Sequence, residues 1–551
     1  MKAHNKFQLD IWGFITLSVL VLYGCFLIYP LGNLMKQAVY NAETGVWTLD
    51  YFVKFFSKNY YFTTLFNSFK VSLAATFFSL ALGAPLAYIY TIYEIKGKAI
   101  LNIGIIIASM SAPFIGAYSW ILLLGRSGVI TTFFKNMNIE TPTIYGFFGI
   151  LFVLTLQLFP LVFLYVRGAL KNIDSSLIEA SQSMGCRGVK LFAKIIMPLI
   201  VPTLLASGLL VFMRSFADFG TPMLIGEGYR TFPVTLYNEF ISEVGGDDGF
   251  AAAIAIIAIM ITTVVFLLQK YIGSRKAFSM NSLHPIEAKK ITGIQNIIVH
   301  IVAYIPVCIA ILPQLYVFYT SFKNTKGMIF VEGYSFNSYV SMFDKLGRSI
   351  QNSIIIPLLA LIAIILLAVL ISYLVVRRKN TLTNTLDIIS MIPYIVPGTV
   401  VGISLLTAFN QKPLLLSGGI LIMVIALVIR RLPYTIRSSV AILQQIPMCI
   451  EEAAISLGTP KMKAFFKVTV PMMRAGILSG AILSWVTMIS ELSTAIILYT
   501  GKTKTLTVAI YTEVIRGNYG IAASLSTLLT LFTILSLLLF AKISKGKDIS
   551  I

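Results

Sequence analysis

Glu179-Ala180-Ser181-Gln182-Ser183-Met184-Gly185 and Glu452-Ala453-Ala454-Ile455-Ser456-Leu457-Gly458 are two copies of one element. In each, a proline (Pro198, Pro471) stands thirteen residues after the glycine and opens a long apolar run. An acidic start with small residues, a glycine break and a basic amphipathic run predict a short helix, a turn and a second helix. The pair lies outside a membrane and feeds a span.

The surrounding chain is apolar. Of 551 residues 57% are hydrophobic and 12% charged, with a mean hydropathy of +0.86, whereas soluble domains carry about 25% charged residues. Runs of roughly 20 apolar residues, enough for a helix to cross a bilayer, fall near 11–31, 68–92, 101–124, 146–166, 195–213 and 250–270, and again near 296–320, 352–376, 386–409, 418–436, 474–498 and 520–542. The expectation is an all-α polytopic membrane protein with about twelve transmembrane helices and no separate soluble domain. Lys2 and Lys6 before Ile11–Tyr29 suggest a signal peptide. The long run and the missing Ala-x-Ala site instead predict an uncleaved first span.

With twelve spans, Lys270, Arg275, Lys276, Lys289, Lys290, Arg377-Arg378-Lys379 and Lys542, Lys545, Lys547 share one side with both copies of the opening element. That side reads as the cytoplasm, with both termini on it. It holds 27 of the 43 Lys and Arg, against 16 opposite. Positive-inside bias explains the net charge of +21, and no basic, aromatic-interleaved domain exists to bind nucleic acid. The outer segment 214–249 is acidic, with Asp218, Glu227, Glu239, Glu243, Asp247 and Asp248. Cys25 and Cys308 fall in spans, Cys186 and Cys449 in cytoplasmic loops where thiols stay reduced. None has metal-ligand spacing with His4, His284 or His300, so neither a metal nor another cofactor is expected.

The halves repeat. Asn67-Ser68 matches Asn352-Ser353 at 285 and Pro113 matches Pro397 at 284, whereas Glu179/Glu452, Pro198/Pro471 and Asp218/Glu491 match at 273. Thr231–Glu239 (TFPVTLYNE) answers Thr505–Glu513 (TLTVAIYTE) at 274. The first half therefore carries an excess of eleven residues, expected around Arg126–Thr143. The domains are read as 1–280, with the first copy of the element in loop 171–198, and 281–551, with the second in loop 444–471. They are parallel six-helix repeats related by an axis along the membrane normal, the simplest use of which is a solute path.

Pro113, Pro393 and Pro397 inside spans each remove an intrahelical hydrogen bond, which neighbours or a cavity must satisfy. Packing alone also explains many membrane prolines. Asp218 and Glu491 stand at or just past the outer end of each fifth span. Buried carboxylates there face protein or water, although an i,i+4 pair with Arg214 would explain Asp218 locally. Pro113, Asp218, Pro397 and Glu491 are thus candidates for the translocation path. Gly501-Lys502-Thr503 lacks the earlier glycine of a phosphate loop, since Ile496 occupies that position, and Leu416-Ser417-Gly418-Gly419 borders a span. Neither has the strand–loop–helix setting of a nucleotide site, and no catalytic constellation is visible. An ion-coupled secondary transporter would share the twelve spans but needs no doubled loop, and a membrane-embedded enzyme lacks its catalytic residues.

Glu452-Ala453-Ala454 with Gly458 and Pro471 resembles the EAA loop of permease subunits of binding-protein-dependent ABC importers. Glu179-Ala180-Ser181 with Gly185 and Pro198 is a copy with Ser181 in place of the second alanine. The resemblance covers essentially the whole chain, which looks like two type I permeases fused head to tail, as in the ferric-iron-type group. It implies that Glu179, Ala180, Gly185, Glu452, Ala453, Ala454 and Gly458 couple to a homodimeric ATP-binding subunit. ATP hydrolysis would lie in that partner and not in this chain. It further implies an extracytoplasmic solute-binding protein docking on 214–249, 321–351 and 499–519, and a multi-pass place in the bacterial cytoplasmic membrane. Ferric iron is the expected cargo; 2-aminoethylphosphonate, thiamine, a polyamine or an inorganic anion such as sulfate stay open.

Overall fold

A computed structural model describes residues 11–41, 44–110, 113–241, 248–275, 288–327, 329–412 and 414–543. Lys2, Lys6, His4, Glu243, Asp247, Lys276, His284, Lys545 and Lys547 lie outside them, as do the side chains of Pro113 and Arg275. Among the described residues nine helices are long and apolar enough to cross a membrane. Two further pairs qualify jointly, Thr381–Ile395 with Gly398–Ala408, bent by 110°, and Lys461–Met472 with Arg474–Ile489, bent by 69°. The helix Ile420–Gln445 completes the expected set; Arg430, Arg431 and Arg437 set it apart from the apolar nine. An all-α polytopic membrane fold of about twelve spans results.

Packing divides the chain into two compact units: residues 1–51, 247–259 and 324–551, and residues 52–246 and 260–323. Relative to the sequence repeats, the units exchange their first helices. In the first unit Ile11–Val39 packs against the second-half helices, with Trp12 4.6 Å from the Tyr373 ring and Phe26 5.7 Å from Phe409. In the second unit Gly293–Thr320 lies on Lys98–Met110, where Gly104 leaves room for Val307 and Ile311. There Tyr304 Oη donates to Lys96 O at 2.7 Å, and Lys96 N–H to His300 Nε2 at 3.0 Å. The second unit's core runs through Phe159, Val162, Phe163, Ile105 and Ala303, all fully buried. Gly83 lets Asn59–Ile92 approach Phe147–Lys171 closely, because a Cβ there would stand 2.6 Å from Phe159 O. Small residues bring membrane helices together in this way.

Repeat spacing survives in the structure. The helix Phe147–Lys171 matches Ile420–Gln445 at 273, including Pro160 with Pro433. The eleven-residue excess falls in 125–146, which holds the helix Val129–Asn136, where the second half closes with 409–419. Asn67 and Ser68 staple the second span of their half to the TFPV helix: Asn67 Nδ2 donates to Arg230 O at 3.0 Å, and Phe232 N–H to Ser68 Oγ at 2.8 Å. Asn352 and Ser353 do the same through Lys502 O, Lys504 O and Leu506 N–H at 3.0, 3.0 and 2.5 Å.

The third spans differ from the sequence expectation. Pro397 does not lie within a continuous helix; it caps Gly398–Ala408 after Thr381–Ile395 has ended, and the chain turns by 110°. Pro113 likewise opens the helix Pro113–Leu124, separate from Lys98–Met110. The residue before Pro397, Val396, is extended, as a residue before proline tends to be, and proline supplies no N–H, so the helix ends there while Pro393 remains inside Thr381–Ile395.

Candidate functional site

Each coupling element is built alike. In the first, Asp174 caps Ser175–Ser183 by accepting the Ser176 N–H at 3.0 Å. The helix then stops in a Schellman turn: Gly185 N–H donates to Gln182 O and Cys186 N–H to Ser181 O. The turn requires the left-handed backbone that glycine adopts without strain, and Gly185 has φ +83°. The second repeats it with Gly458 (φ +88°), whose N–H donates to Ile455 O, and Thr459 N–H donating to Ala454 O. Glu179, Ala180, Glu452 and Ala453 are exposed, as are both glycines, whereas Ser181 and Ala454 are half-buried. Ser181 satisfies its hydroxyl on Leu177 O at 2.7 Å, so the departure from alanine leaves the helix intact.

Met184 and Leu457, just before the glycines, are 86% and 87% exposed. A large apolar side chain so bare at matching positions marks a surface made to be covered. After each turn the chain passes through a π-helical turn, Phe192–Ile196 or Phe465–Thr469, two residues ahead of Pro198 or Pro471. The π-turn Gly24–Ile28 stands likewise before Pro30. It opens the ladder where proline has no N–H to give.

Sequence reasoning left a second network unseen. Asp218 and Glu491 each accept the N–H of the residue three on, Thr221 and Thr494, both at 3.1 Å, and start the short helices Gly220–Ile225 and Ala495–Leu498. These helices lie on the second limbs of the broken third spans. A Cβ on Gly220 would stand 3.0 Å from Phe114 Cβ, and one on Gly402 2.9 Å from Ile497 Cβ. The pairing of Arg214 with Asp218 is not formed; Arg214 is exposed and Asp218 turns to Thr221. Burial pushes the Asp218 carboxyl up to about 6 against these hydrogen bonds.

Glu491 has two basic neighbours. Arg430 Nη1 donates to its Oε1 at 2.5 Å, and Arg431 Nη2 pairs with its Oε2. Ser493 Oγ adds a bond at 2.7 Å. The two guanidiniums and these hydrogen bonds supply the counter-charge and donors that a buried carboxylate needs. Arg430 also donates to Thr494 Oγ1 at 2.8 Å, and Thr494 Oγ1 to Gly398 O at 3.1 Å. Glu491 and the Pro397 break, both picked as path candidates, thus belong to one buried network. A small cavity lined by Ser353, Met423, Met488, Thr505 and Thr507 adjoins it.

Arg430 and Arg431 are mid-helix in Ile420–Gln445 and buried, with side chains 14% and 13% exposed. The repeat could have found them, because Pro160 and Pro433 align Arg430 with Gln157 and Arg431 with Leu158. At these two positions the first half therefore carries Gln157 and Leu158 in place of arginines. Gln157 Oε1 is buried with no hydrogen-bond partner among the described residues.

Comparison with known proteins agrees with this architecture. The profile of the family described as "Binding-protein-dependent transport system inner membrane component" matches twice, over residues 68–278 and 364–547. The ferric transport system permease protein FbpB of Actinobacillus pleuropneumoniae is 28% identical over 95% of this chain and 77% of that protein. The putative ferric transport system permease protein FbpB 1 of Haemophilus influenzae is 28% identical over 89% of this chain and 78% of its own. A putative 2-aminoethylphosphonate transport system permease protein, PhnU of Salmonella choleraesuis, is 27% identical over 47% of this chain and 92% of that protein. Two matches in one chain, each ending beyond one of the two Glu-and-Gly loops, make this protein a fused, two-repeat, multi-pass permease of the family of binding-protein-dependent transport system inner membrane components.

Proposed function

We propose that the chain is the membrane channel of an ATP-driven importer for ferric iron, free or chelated. In this reading the helices Ser175–Ser183 and Cys449–Ser456 each dock on one subunit of a homodimeric ATPase. The duplicated loop geometry carries the reading: two glycine-terminated helices, each presenting an exposed glutamate, an alanine and a bare Met184 or Leu457. The apolar tip would enter a groove of the ATPase while Glu179 or Glu452 pairs with basic or backbone groups around it. Pro198 and Pro471 then carry the displacement into the fifth spans. In this reading both termini and both loops lie in the cytoplasm, which the positive-inside count supports. An extracytoplasmic binding protein would deliver solute to 214–249, 321–351 and 499–519, and Pro113, Asp218, Pro397 and Glu491 would border the path. The repeats 1–280 and 281–551 are the functional halves.

Iron is favoured by two relatives named for ferric transport that align along most of this chain. 2-Aminoethylphosphonate is the second reading, through relatives that match about half of it. The test reconstitutes the chain with its ATPase in liposomes and supplies binding protein loaded with labelled ferric ion or with the phosphonate. Iron-dependent stimulation of hydrolysis and uptake is expected. Stimulation by the phosphonate alone would overturn the cargo, and none by either, with wild-type Glu179 and Glu452, would overturn the coupling.

A further inference from the structure

The residue before the second loop's glutamate is itself a glutamate. Glu451 is 6% exposed, whereas Glu452 points to solvent. A buried carboxylate needs partners, and Glu451 has two: Tyr373 Oη donates to its Oε1 at 2.5 Å, and Thr469 Oγ1 to its Oε2 at 3.0 Å. Tyr373 lies in the long helix Asn337–Arg377 and Thr469 ends the π-turn Phe465–Thr469. The Tyr373 ring packs at 4.6 Å on both Trp12 and Phe465, and Arg378 stands over Trp12. One carboxylate thereby joins the coupling helix, the second span of its half, the entry to the fifth span and, through Tyr373, the first helix.

The first copy keeps the aromatic part and lacks the polar part. Tyr88 and Phe192 match Tyr373 and Phe465, with rings 4.9 Å apart. Ile178 and Ile196 stand where Glu451 and Thr469 would be, and both are buried. An apolar contact can slide, whereas two hydrogen bonds to a buried carboxylate hold direction and register.

We propose that Glu451 is a positioning residue that ties the second coupling helix rigidly to the span Asn337–Arg377 and to the π-turn, so that the two halves transmit the ATPase stroke unequally. Resting on the coupling reading above, the proposal assigns the rigid link to the second half and to a residue outside the exposed motif.

The test uses the full chain assembled with its ATPase in lipid and compares Glu451→Gln, Tyr373→Phe, Thr469→Val and Thr469→Ser. Three readouts are co-purification of the ATPase, hydrolysis, and solute transported per ATP. Wild type must assemble and transport; if it does not, the coupling reading fails. Given a coupled wild type, Glu451→Gln and Tyr373→Phe are expected to assemble normally yet transport at least about tenfold less per ATP, the scale of losing one hydrogen bond to a charged group. Their double variant should be no worse than the worse single one, since both remove one link. Thr469→Ser should retain coupling that Thr469→Val loses. Unchanged solute per ATP in Glu451→Gln and Tyr373→Phe overturns the proposal. So does loss of ATPase co-purification in Glu451→Gln, which would make Glu451 a docking residue.

Discussion

Replacing Glu491 by Gln removes one charge from a buried cluster of three. Glu491 is 4% exposed and accepts from Arg430 Nη1 at 2.5 Å, from Arg431, from Ser493 Oγ at 2.7 Å and from Thr494 N–H at 3.1 Å. Glutamine keeps one carbonyl acceptor and turns an NH2 donor toward a guanidinium, so two cations remain buried with no counter-charge. Removing one partner from a buried pair costs about 3–5 kcal/mol, against about 0–1 for an exposed pair. Both arginine side chains are less than 15% exposed, so the higher range applies. The assay is thermal unfolding of the purified chain in lipid nanodiscs, with transport measured alongside. The apparent melting temperature should fall by about 5 °C or more. Glu491→Gln combined with Arg431→Gln should recover part of the loss, because one unpaired buried cation, Arg430, remains instead of two. Glu491→Gln melting within about 1 °C of wild type, the range of neutral surface changes, would refute the view that these charges stabilise one another.

Asp218→Asn probes the counterpart in the first half. A folded carboxyl raised to about 6 favours its protonated form, so the stability it contributes is full below about pH 4 and is lost as pH rises through 6. Asp218→Asn should therefore raise the melting temperature at pH 8 and match wild type near pH 4.5; the reverse trend would reject the burial argument. Gly458→Val should cost about 1–2 kcal/mol of local stability through its left-handed φ and depress stimulated hydrolysis, checked by ATPase assays on the assembled complex. Leu457→Asp together with Met184→Asp should abolish ATPase co-purification while leaving the melting temperature in place, since both side chains touch solvent. Ser353→Ala orphans the buried Leu506 N–H at a cost of about 1–3 kcal/mol, and its melting temperature should fall accordingly.

Local and periodic features were readable from the chain alone. Apolar runs set the spans because a bilayer leaves backbone groups no partner outside a helix. Repeat spacing located both loops, and the glycines Gly185 and Gly458 announced turns that only a left-handed residue closes easily. Asn67-Ser68 and Asn352-Ser353 were visible as markers, although the sequence did not say that they staple the second span to the helix past the fifth.

What only the tertiary structure decided are pairings between distant positions. Arg430 and Arg431 stand some sixty residues from Glu491, and Glu451 meets Tyr373 at a separation of 78. Buried charge is stable only beside its counter-charge, and hydropathy registers the cost of such residues without naming the partner. The exchange of first helices between the packed units also leaves no mark in periodicity, because an apolar helix carries the same pattern whichever neighbour covers it. The chain announces that Glu451 and Glu452 are adjacent acids; only folding sends one to solvent and the other to Tyr373.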